Sequence, residues 1–499
     1  MLDYVINSTK SFLENMPKSE RKKKGQFFTS KETAEFMANM FDFSNFKETI
    51  SLLDPGAGTG ILTAAFIDRA LKEPNIKKII ITCYEKDTEV LEILNKNLEY
   101  LKNNSSIDLE FKILTEDYLL SQSNDFEKNL LANENPNKYD AVIANPPYLR
   151  ILKNDKSALA MPSVIHGAPN LYFLFASMSL FNLKNQSEMV YIIPRSWTSG
   201  EYFKAFRKYL LSDGKIEQVH LFVSRDKVFS QEQVLQETII LKIKKTKESI
   251  KTVKITSSQS NFDFNNITNI DIPYNSIVAG KSFYVFLPTN EEEIETIKRI
   301  NNYSSSLLDI GYRMRTGIVV DFRQKEELRE KPSEHTVPLF YSQHIKNGRV
   351  NHEESGNDYD WIIDSKQSLI QPNENYVFCK RFTAKEEKRR LQCGVYLFKD
   401  FPDYKYIGTQ NKINYVNRLD DSPLESTEAF GLYALLNTTL FDQYYRILNG
   451  STQVNSSEIN SMPFPPSEVI KRIGQKLMTN GDLSTESCNK IVREIAYYE

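Results

Sequence analysis

Two patterns of apolar and polar positions alternate along the first half of the chain. Short apolar runs of the kind found in buried strands are separated by stretches with apolar residues at helical spacing. The strand-like runs are 50–54, 78–84, 109–114, 141–144, 189–193, 216–222 and 237–243. This alternation indicates an α/β fold with a mainly parallel sheet. We therefore predict a Rossmann-like, seven-stranded, doubly wound domain over residues 1–245.

The pattern changes after residue 245. Residues 246–305 are mostly polar apart from one helical stretch at 291–300, and they predict a connecting segment. Between residues 306 and 499, short strand-like runs alternate with turns, and the strand–helix alternation of the first half is lost. We expect a second domain there, with a mixed α+β architecture.

A polar residue stands at or just beyond the end of each of the first four predicted strands. These residues are Asp54, Glu85, Asp117 and Asn145. In an open α/β sheet, ligands bind at the carboxyl ends of the strands, so we expect these side chains to surround one site. The glycine-rich stretch 55–60 would let the backbone approach a ligand closely, and Glu85 is placed to accept both hydroxyls of a ribose. No Lys-Ser/Thr pair follows the glycines, which disfavours a phosphate-cradling loop.

The fourth predicted strand ends in Asn145-Pro146-Pro147-Tyr148, and the groups of this tetrapeptide indicate the kind of substrate that it would bind. Two prolines end the strand in a stiff loop without amide donors at those positions. The loop offers two acceptors, the Asn145 side-chain oxygen and the Pro146 carbonyl, next to the ring of Tyr148. Two acceptors and a flat ring suit a planar amino group whose nitrogen attacks another molecule. A strand end followed by a proline turn is the alternative that the tetrapeptide alone leaves open.

Composition narrows the class of protein. The chain has 40% hydrophobic and 26% charged residues, which is ordinary for a globular protein of the cytoplasm, where we expect it. Its four cysteines are far apart and its five histidines are scattered, so we expect reduced thiols and no metal site. We find no pattern typical of a signal peptide or a membrane span. Because the formal net charge is −2, any nucleic-acid contact must come from local basic clusters.

The motifs and their order resemble the gamma class of N6-adenine DNA methyltransferases, which includes the TaqI modification methylase. The matching stretches, in chain order, are 25–29, 54–60 and 145–148. The resemblance implies S-adenosylmethionine as cofactor and a flipped-out adenine of duplex DNA as substrate. It implies cofactor contacts at Phe27, Thr29, Asp54, Gly56, Gly58, Glu85 and Asp117. It places the target base at Asn145, Pro146, Pro147 and Tyr148, with Phe229 as a second aromatic residue.

The second half resembles the PstI and BsuBI modification methylases at 316–323, 380–390 and 449–455. This resemblance implies that residues 306–499 form a DNA target-recognition domain. It also implies that the protein is the modification enzyme of a type II restriction-modification system. A separate cognate endonuclease would then be a possible partner, and the suggested recognition site is CTGCAG. The predicted DNA contacts are Lys380, Arg381, Lys385, Arg389 and Arg390. Since Glu386 and Glu387 interrupt this cluster, a solvated charged helix is the competing interpretation.

Other functions fit parts of these patterns. Methylation of the N4 amino group of cytosine uses nearly the same chemistry, and the amide of a protein glutamine is also a planar amino group. The long second domain with its basic cluster argues against the protein substrate. We expect no nuclease domain, because few residues precede the predicted catalytic core and Glu386-Glu387-Lys388 has no well-placed partner aspartate. The intact tetrapeptide argues against a DNA-binding protein that has lost catalysis.

Overall fold

The computed structural model describes residues 1–14, 29–132, 139–222, 237–280, 282–353, 356–384, 387–449 and 452–496. The chain divides into two compact units, residues 1–289 and residues 290–499, and each is described by itself. The predicted roles of Phe27, Phe229 and Lys385 fall outside the described residues.

The first unit is a sheet flanked by helices. Its helices are α1 (Leu2–Glu14), α2 (Lys31–Asn39), α3 (Ile61–Ala70), α4 (Thr88–Asn104), α5 (Ser123–Ala132), α6 (Lys156–Ala160), α7 (Leu171–Asn182), α8 (Lys204–Asp213) and α9 (Tyr274–Ile277). Its strands are β1 (Thr49–Pro55), β2 (Lys78–Tyr84), β3 (Asp108–Leu114), β4 (Tyr139–Ala144), β5 (Leu183–Pro194), β6 (Gly214–Phe222), β7 (Thr238–Lys245), β8 (Thr252–Ser258), β9 (Thr268–Pro273), β10 (Val278–Ala279) and β11 (Tyr284–Val285).

In the described residues, the main sheet of this unit runs in the order β3-β2-β1-β4-β5-β7-β6-β8-β9. The pairs from β3 to β5 are parallel, and β7 is antiparallel to both of its neighbours. Strand order reverses between β1 and β4, so the connections after these two strands leave toward opposite faces. A crevice for ligands opens at the carboxyl ends of the strands at such a switch point.

The two faces of the sheet follow from the alternation of side chains along each strand. Ile50 and Leu52 of β1 join a core with Ala141 and Ile143 of β4 and with apolar residues of α1 to α4. On the opposite face, Tyr191 of β5 donates a hydrogen bond to a main-chain carbonyl of α7. Because both faces are covered by helices, the doubly wound architecture predicted from the sequence is confirmed.

The predicted count of seven strands is wrong, because β8 and β9 extend the sheet. Both lie in residues 246–305, for which the polar sequence predicts a connecting segment. β8 pairs in parallel with β6, and β9 pairs with β8. Val253 and Ile255 are buried at alternate positions of β8, but the strand is otherwise polar. β9 is an edge strand with mostly exposed residues, so neither strand has the apolar composition of the central ones. The first unit therefore extends to residue 289.

The second unit combines short strands with helices, as expected. Its helices are α10 (Glu291–Asn301), α11 (Ser426–Leu436), α12 (Thr439–Leu448), α13 (Ser456–Ser461), α14 (Ser467–Asn480) and α15 (Thr485–Ala496). Its strands are β12 (Ser305–Ser306), β13 (Tyr312–Thr316), β14 (Leu328–Arg329), β15 (Thr336–Phe340), β16 (Ile345–Lys346), β17 (Arg349–Val350), β18 (Trp361–Ile363), β19 (Gln371–Pro372), β20 (Tyr376–Lys380), β21 (Cys393–Tyr396), β22 (Tyr406–Thr409), β23 (Ile413–Arg418) and β24 (Pro463–Phe464).

Two sheets organise the second unit. One runs β13-β23-β20-β21-β17-β16 and the other runs β14-β18-β15-β22-β19. Separate clusters of buried residues lie on them, one around Phe378 and one around Leu339. Helices α11 and α14 cross closely, because a Cβ at Gly431 would lie 2.0 Å from a main-chain oxygen of α14 and one at Gly474 would lie 1.7 Å from a main-chain oxygen of α11.

The antiparallel part of the first unit contains a buried cation that allows a stability test. Lys242 of β7 lies 3.1 Å from carboxylate oxygens of both Glu188 and Glu217. We expect Lys242→Met to destabilise the protein by about 3 kcal/mol, because it leaves the buried carboxylate of Glu188 without this counter-charge. The midpoint of urea denaturation measures this. The control is Lys254→Met on the exposed face of β8, and equal midpoints for the two variants would contradict the expectation.

Candidate active site

The glycine-rich turn between β1 and α3 is tied to the end of β2. Gly56, Gly58 and Gly60 have φ angles of +76°, +55° and +85°, a left-handed conformation that side chains with a Cβ rarely adopt. The amides of Gly56 and Ala57 donate to the carbonyl of Tyr84 at 2.8 and 2.9 Å. The turn therefore has a fixed shape, with its backbone open to the crevice.

Glu85 follows β2 and holds the same turn through its side chain. One carboxylate oxygen accepts a hydrogen bond from the amide of Gly58 at 2.9 Å, and the other accepts one from the amide of Asp87 at 2.8 Å. The residue is 8% exposed, and burial raises the pKa of Glu85 although both amides oppose the rise. Its carboxylate is thus a positioned acceptor at the edge of the sheet.

Asp117 follows β3 and is held by three donors. The amides of Leu119 and Leu120 donate to one oxygen at 3.0 and 3.2 Å, and Lys86 Nζ donates to the other at 2.9 Å. Burial alone would raise the pKa of Asp117, but Lys86 and the amides outweigh it and the pKa lies below its ordinary value. Asp117 is therefore an ionised, oriented carboxylate at neutral pH.

A cavity of about 520 Å³ lies at the carboxyl ends of β1 to β4. Four of the predicted strand-end features line it together, namely the glycine turn, Glu85, Asp117 and Asn145. Its described lining comprises Thr29, Gly56, Ala57, Gly58, Thr59, Ile61, Leu62, Tyr84, Glu85, Lys86, Asp87, Glu116, Asp117, Tyr118, Leu119, Asn145, Pro147, Leu149, Ser157, Leu171 and Phe175. The volume and the mixture of apolar walls with a few polar groups are typical of a cofactor site.

The tetrapeptide after β4 forms one lip of this cavity. Asn145 and Pro147 line it, and Pro146 is buried behind them. Asn145 Nδ2 donates a hydrogen bond to Thr29 Oγ1 at 3.2 Å. Thr29 is 7% exposed and also lines the cavity. The hydrogen bond therefore orients the amide of Asn145 relative to a residue of the predicted cofactor site.

Tyr148 is anchored at both its hydroxyl and its ring. The hydroxyl donates to the carbonyl of Ile192 at 2.9 Å, and the ring lies edge-to-face against Tyr172 with centroids 6.4 Å apart. Burial raises the pKa of Tyr148 well above its ordinary value, with a smaller contribution from Tyr172. The side chain is therefore a neutral aromatic ring of fixed orientation.

One predicted cofactor contact is contradicted by the structure. The side chain of Asp54 is 1% exposed and is not part of the cavity lining. Its carboxylate accepts a hydrogen bond from Thr63 Oγ1 at 2.7 Å, which links the end of β1 to α3. Asp54 supports the glycine turn from behind. The sequence showed its place at a strand end but not the direction of its side chain.

One predicted DNA contact also needs correction. Arg390 has no exposed surface, and its guanidinium donates to Thr383 at 3.2 Å and to Asn449 at 3.3 Å inside the second unit. Arg389 is half-buried and donates to two main-chain carbonyls near the junction of α11 and α12. Because a phosphate contact needs an accessible cation, we withdraw Arg390 from the predicted set.

Sequence reasoning missed the aromatic wall of the cavity. Phe175 of α7 packs across the glycine turn, where a Cβ at Gly56 would lie 3.5 Å from its Cε1 atom. Tyr118 lines the cavity and shares a hydrogen bond with Ser179 of α7 at 2.9 Å. The apolar pattern of α7 predicts a buried helix. It does not show which of its residues reaches a site formed by other strands.

Comparisons with known proteins agree with this geometry. Residues 59–229 match the family model described as Eco57I restriction-modification methylase. The chain is 33% identical over 486 residues to the type II methyltransferase M.PstI of Providencia stuartii, covering 96% of this chain and 93% of that protein. It is 35% identical over 463 residues to M.BsuBI of Bacillus subtilis, covering 91% of this chain and 90% of that protein.

The chain belongs to the type II methyltransferase family. The resemblance to the PstI and BsuBI methylases is thus confirmed over nearly the whole chain, including the second unit. This type II methyltransferase methylates DNA, and its cofactor is S-adenosylmethionine. The cavity fits that cofactor, because Glu85 and Asp117 offer oriented carboxylates and Gly56 and Gly58 leave the backbone open, next to apolar walls.

A solved structure supports the fold over the whole methyltransferase chain. The type IIL restriction-modification enzyme MmeI, determined in complex with DNA, matches with a TM-score of 0.53 and 12% identity. The match covers 100% of this chain and 74% of that one. In the described part of this methyltransferase, we find no cluster of residues able to hold a metal ion and no helix that could cross a membrane.

The environment of Asp54 predicts a pH-dependent stability. Burial, with a smaller contribution from Glu85, raises the pKa of Asp54 from 3.8 to about 7, although the hydrogen bond from Thr63 opposes the rise. The folded state therefore binds more protons than the unfolded state between these values. This contribution to stability is present below the unfolded pKa and is lost as the pH rises through the folded pKa.

We expect Asp54→Asn to remove this contribution, because the amide stays neutral and still offers an oxygen to Thr63. The melting temperature of the variant relative to the wild type should rise between about pH 4 and about pH 8. Calorimetry at a series of pH values measures it. Asp271→Asn, on the exposed edge strand β9, is the control. A constant difference for Asp54→Asn across this range would show that the carboxylate is not destabilised by burial.

Proposed function

We propose that this enzyme methylates the N6 amino group of an adenine flipped out of duplex DNA, as the modification enzyme of a type II restriction-modification system. The observation that carries the proposal is the position of Asn145-Pro146-Pro147-Tyr148 at the lip of the cofactor cavity. The order of the motifs along the chain supports adenine over cytosine. In such a system the methylated sites would be protected from a separate endonuclease.

The cavity residues would hold the cofactor. Glu85 would accept hydrogen bonds from its ribose hydroxyls, and the glycine turn would pack against its methionine part. Thr29 and Asp117 would contact it from two further sides of the cavity. When bound, S-adenosylmethionine supplies a methyl group on a positively charged sulfur, which is already reactive toward a nucleophile.

The lip residues would then make the amino nitrogen a better nucleophile. In a free adenine, the lone pair of the amino nitrogen is delocalised into the ring. Acceptance of its two hydrogens by the Asn145 side-chain oxygen and the Pro146 carbonyl favours a pyramidal nitrogen with a localised lone pair. Donation from Asn145 Nδ2 to Thr29 orients the amide oxygen for this task. Alignment of the amino nitrogen with the methyl carbon and the sulfur in one line would supply much of the remaining rate acceleration.

Tyr148 would stack on the flipped base. In a duplex the amino group is paired and enclosed in the stack, so the base must leave it at a cost of a few kcal/mol. Stacking on an aromatic ring contributes about 1–3 kcal/mol per base and offsets part of this cost. The hydrogen bond of the Tyr148 hydroxyl to Ile192 keeps the ring in one orientation before the base arrives.

The decisive test is the identity of the methylated base. DNA from cells that express the wild-type enzyme should contain N6-methyladenine within one short sequence. The Asn145→Ala variant should give unmodified DNA while still binding cofactor and duplex. Mass spectrometry of nucleosides and sequencing that detects methylated bases measure this. N4-methylcytosine in place of N6-methyladenine would refute the choice of base, and activity in Asn145→Ala would refute the mechanism.

A second variant tests how Asn145 is oriented. Thr29→Val keeps the shape of the side chain but removes the acceptor for Asn145 Nδ2. The loss of one hydrogen bond, about 0.5–1.5 kcal/mol, should lower the single-turnover rate about two- to tenfold at saturating cofactor and DNA.

Thr29→Ser, which keeps the hydroxyl, is the matched control and should remain close to the wild type. Equal rates for the valine and serine variants would show that this hydrogen bond does not contribute to the methyl transfer. Cofactor affinity, measured by calorimetry, separates this effect from a change in cofactor binding.

A further inference from the structure

Two of the sequence stretches that resemble the PstI and BsuBI methylases meet at one turn of the second unit. The turn joins β22 to β23 at residues 409–412. On one side of it, the amide of Val319 donates to the carbonyl of Thr409 at 3.0 Å, and the amide of Asn411 donates to the carbonyl of Val319 at 2.8 Å. Gly317 is required there, because a Cβ would lie 2.2 Å from the main-chain oxygen of Gln410.

Arg381 fixes the other side of the turn and reaches the third stretch. Its amide donates to the carbonyl of Lys412 at 2.9 Å, and its guanidinium donates to the carbonyl of Asn411 at 3.0 Å. The guanidinium also donates to the side chain of Gln453 at 3.3 Å, and the amide of Val454 donates to the Arg381 carbonyl at 2.7 Å. Segments distant in sequence therefore form one surface.

This surface exposes two large aromatic side chains. Phe322 is 72% exposed and Phe382 is 48% exposed. The guanidinium of Arg323 lies 5.4 Å from the ring centroid of Phe322, and that of Arg381 lies 5.6 Å from the ring of Phe382. Each of the two exposed rings thus has a guanidinium beside it.

The charges of the surface favour an anionic partner. Arg323 and Lys412 are exposed and Lys380 is half-buried. We define the aromatic–basic surface as residues 319–323, 380–383, 409–412 and 453. Its acidic residue is Asp321, which accepts a hydrogen bond from Gln410 Nε2 at 3.1 Å. Cations can contact phosphates, and phenylalanine rings can contact base edges or insert between base steps, so this composition fits duplex DNA.

We propose that Phe322 and Phe382 contact bases of the DNA target and determine specificity, while Arg323, Lys380 and Lys412 contact phosphates. This deepens the proposed function, since it rests on duplex DNA as the substrate. It keeps Lys380 of the predicted cluster and replaces Arg390, which is buried, by Arg323 and Lys412, which lie outside residues 380–390. The main-chain pairing at the 409–412 turn fixes the backbone near both rings, so little backbone freedom is lost on binding.

Binding measurements distinguish base contacts from phosphate contacts. The probes are a duplex with the sequence that the wild-type enzyme methylates and a duplex of scrambled sequence, each at several salt concentrations. We expect Phe322→Ala and Phe382→Ala to weaken binding to the methylated sequence about tenfold or more. Binding to the scrambled duplex and the slope of log K against log salt should hardly change. Lys412→Gln should weaken both complexes and reduce the magnitude of the slope by about one.

The control is Phe398→Ala, which removes another exposed ring of the second unit, 51% exposed and outside the aromatic–basic surface. It should bind like the wild type. Phe322→Ala and Phe382→Ala variants that keep the wild-type melting temperature and bind both duplexes like Phe398→Ala would overturn the proposal. Equal weakening of binding to both duplexes by one of these variants would assign its ring to phosphate contacts and would also overturn the proposal. The result does not depend on which base is methylated, so failure of the adenine assignment is seen separately.

Discussion

The parallel pairing of β1 with β4, where the strand order reverses, is the constraint on which the site depends. Because the connections after these two strands leave toward opposite faces, the backbone cannot close over their carboxyl ends. The glycine turn enters this opening from one side and the Asn145 loop from the other. The sheet topology thus brings the glycine turn and the Asn145 loop to one cavity.

The polar groups at this opening are held by hydrogen bonds to segments that are distant in the sequence. Glu85 accepts from the amide of Gly58, and Asn145 donates to Thr29. Each bond joins segments that follow different strands or helices. A site built in this way loses little conformational freedom when it binds, because its side chains are oriented beforehand. Asp54 contributes indirectly, since its hydrogen bond with Thr63 supports the glycine turn from inside the core.

In the second unit, bonds between segments distant in the sequence also hold a surface in place. The short strands of this unit carry two separate clusters of buried residues, and long-range pairing brings the 319, 381 and 453 segments around one turn. The dense basic cluster is divided by this packing, so that Arg390 stabilises the interior while Arg381 frames an exposed ring. Charge density along the sequence therefore does not show which of these cations is accessible.

The sequence by itself determined the strand–helix alternation, the order of the strand-end motifs and the resemblance to the PstI and BsuBI methylases. These features are local, since they depend on periodicity and on residues next to one another in the chain. Only the tertiary structure decided that Asp54 and Arg390 point inward, that Phe175 walls the cavity, and that β8 and β9 extend the sheet. Burial and edge pairing are set by partners distant in sequence, which no local pattern specifies.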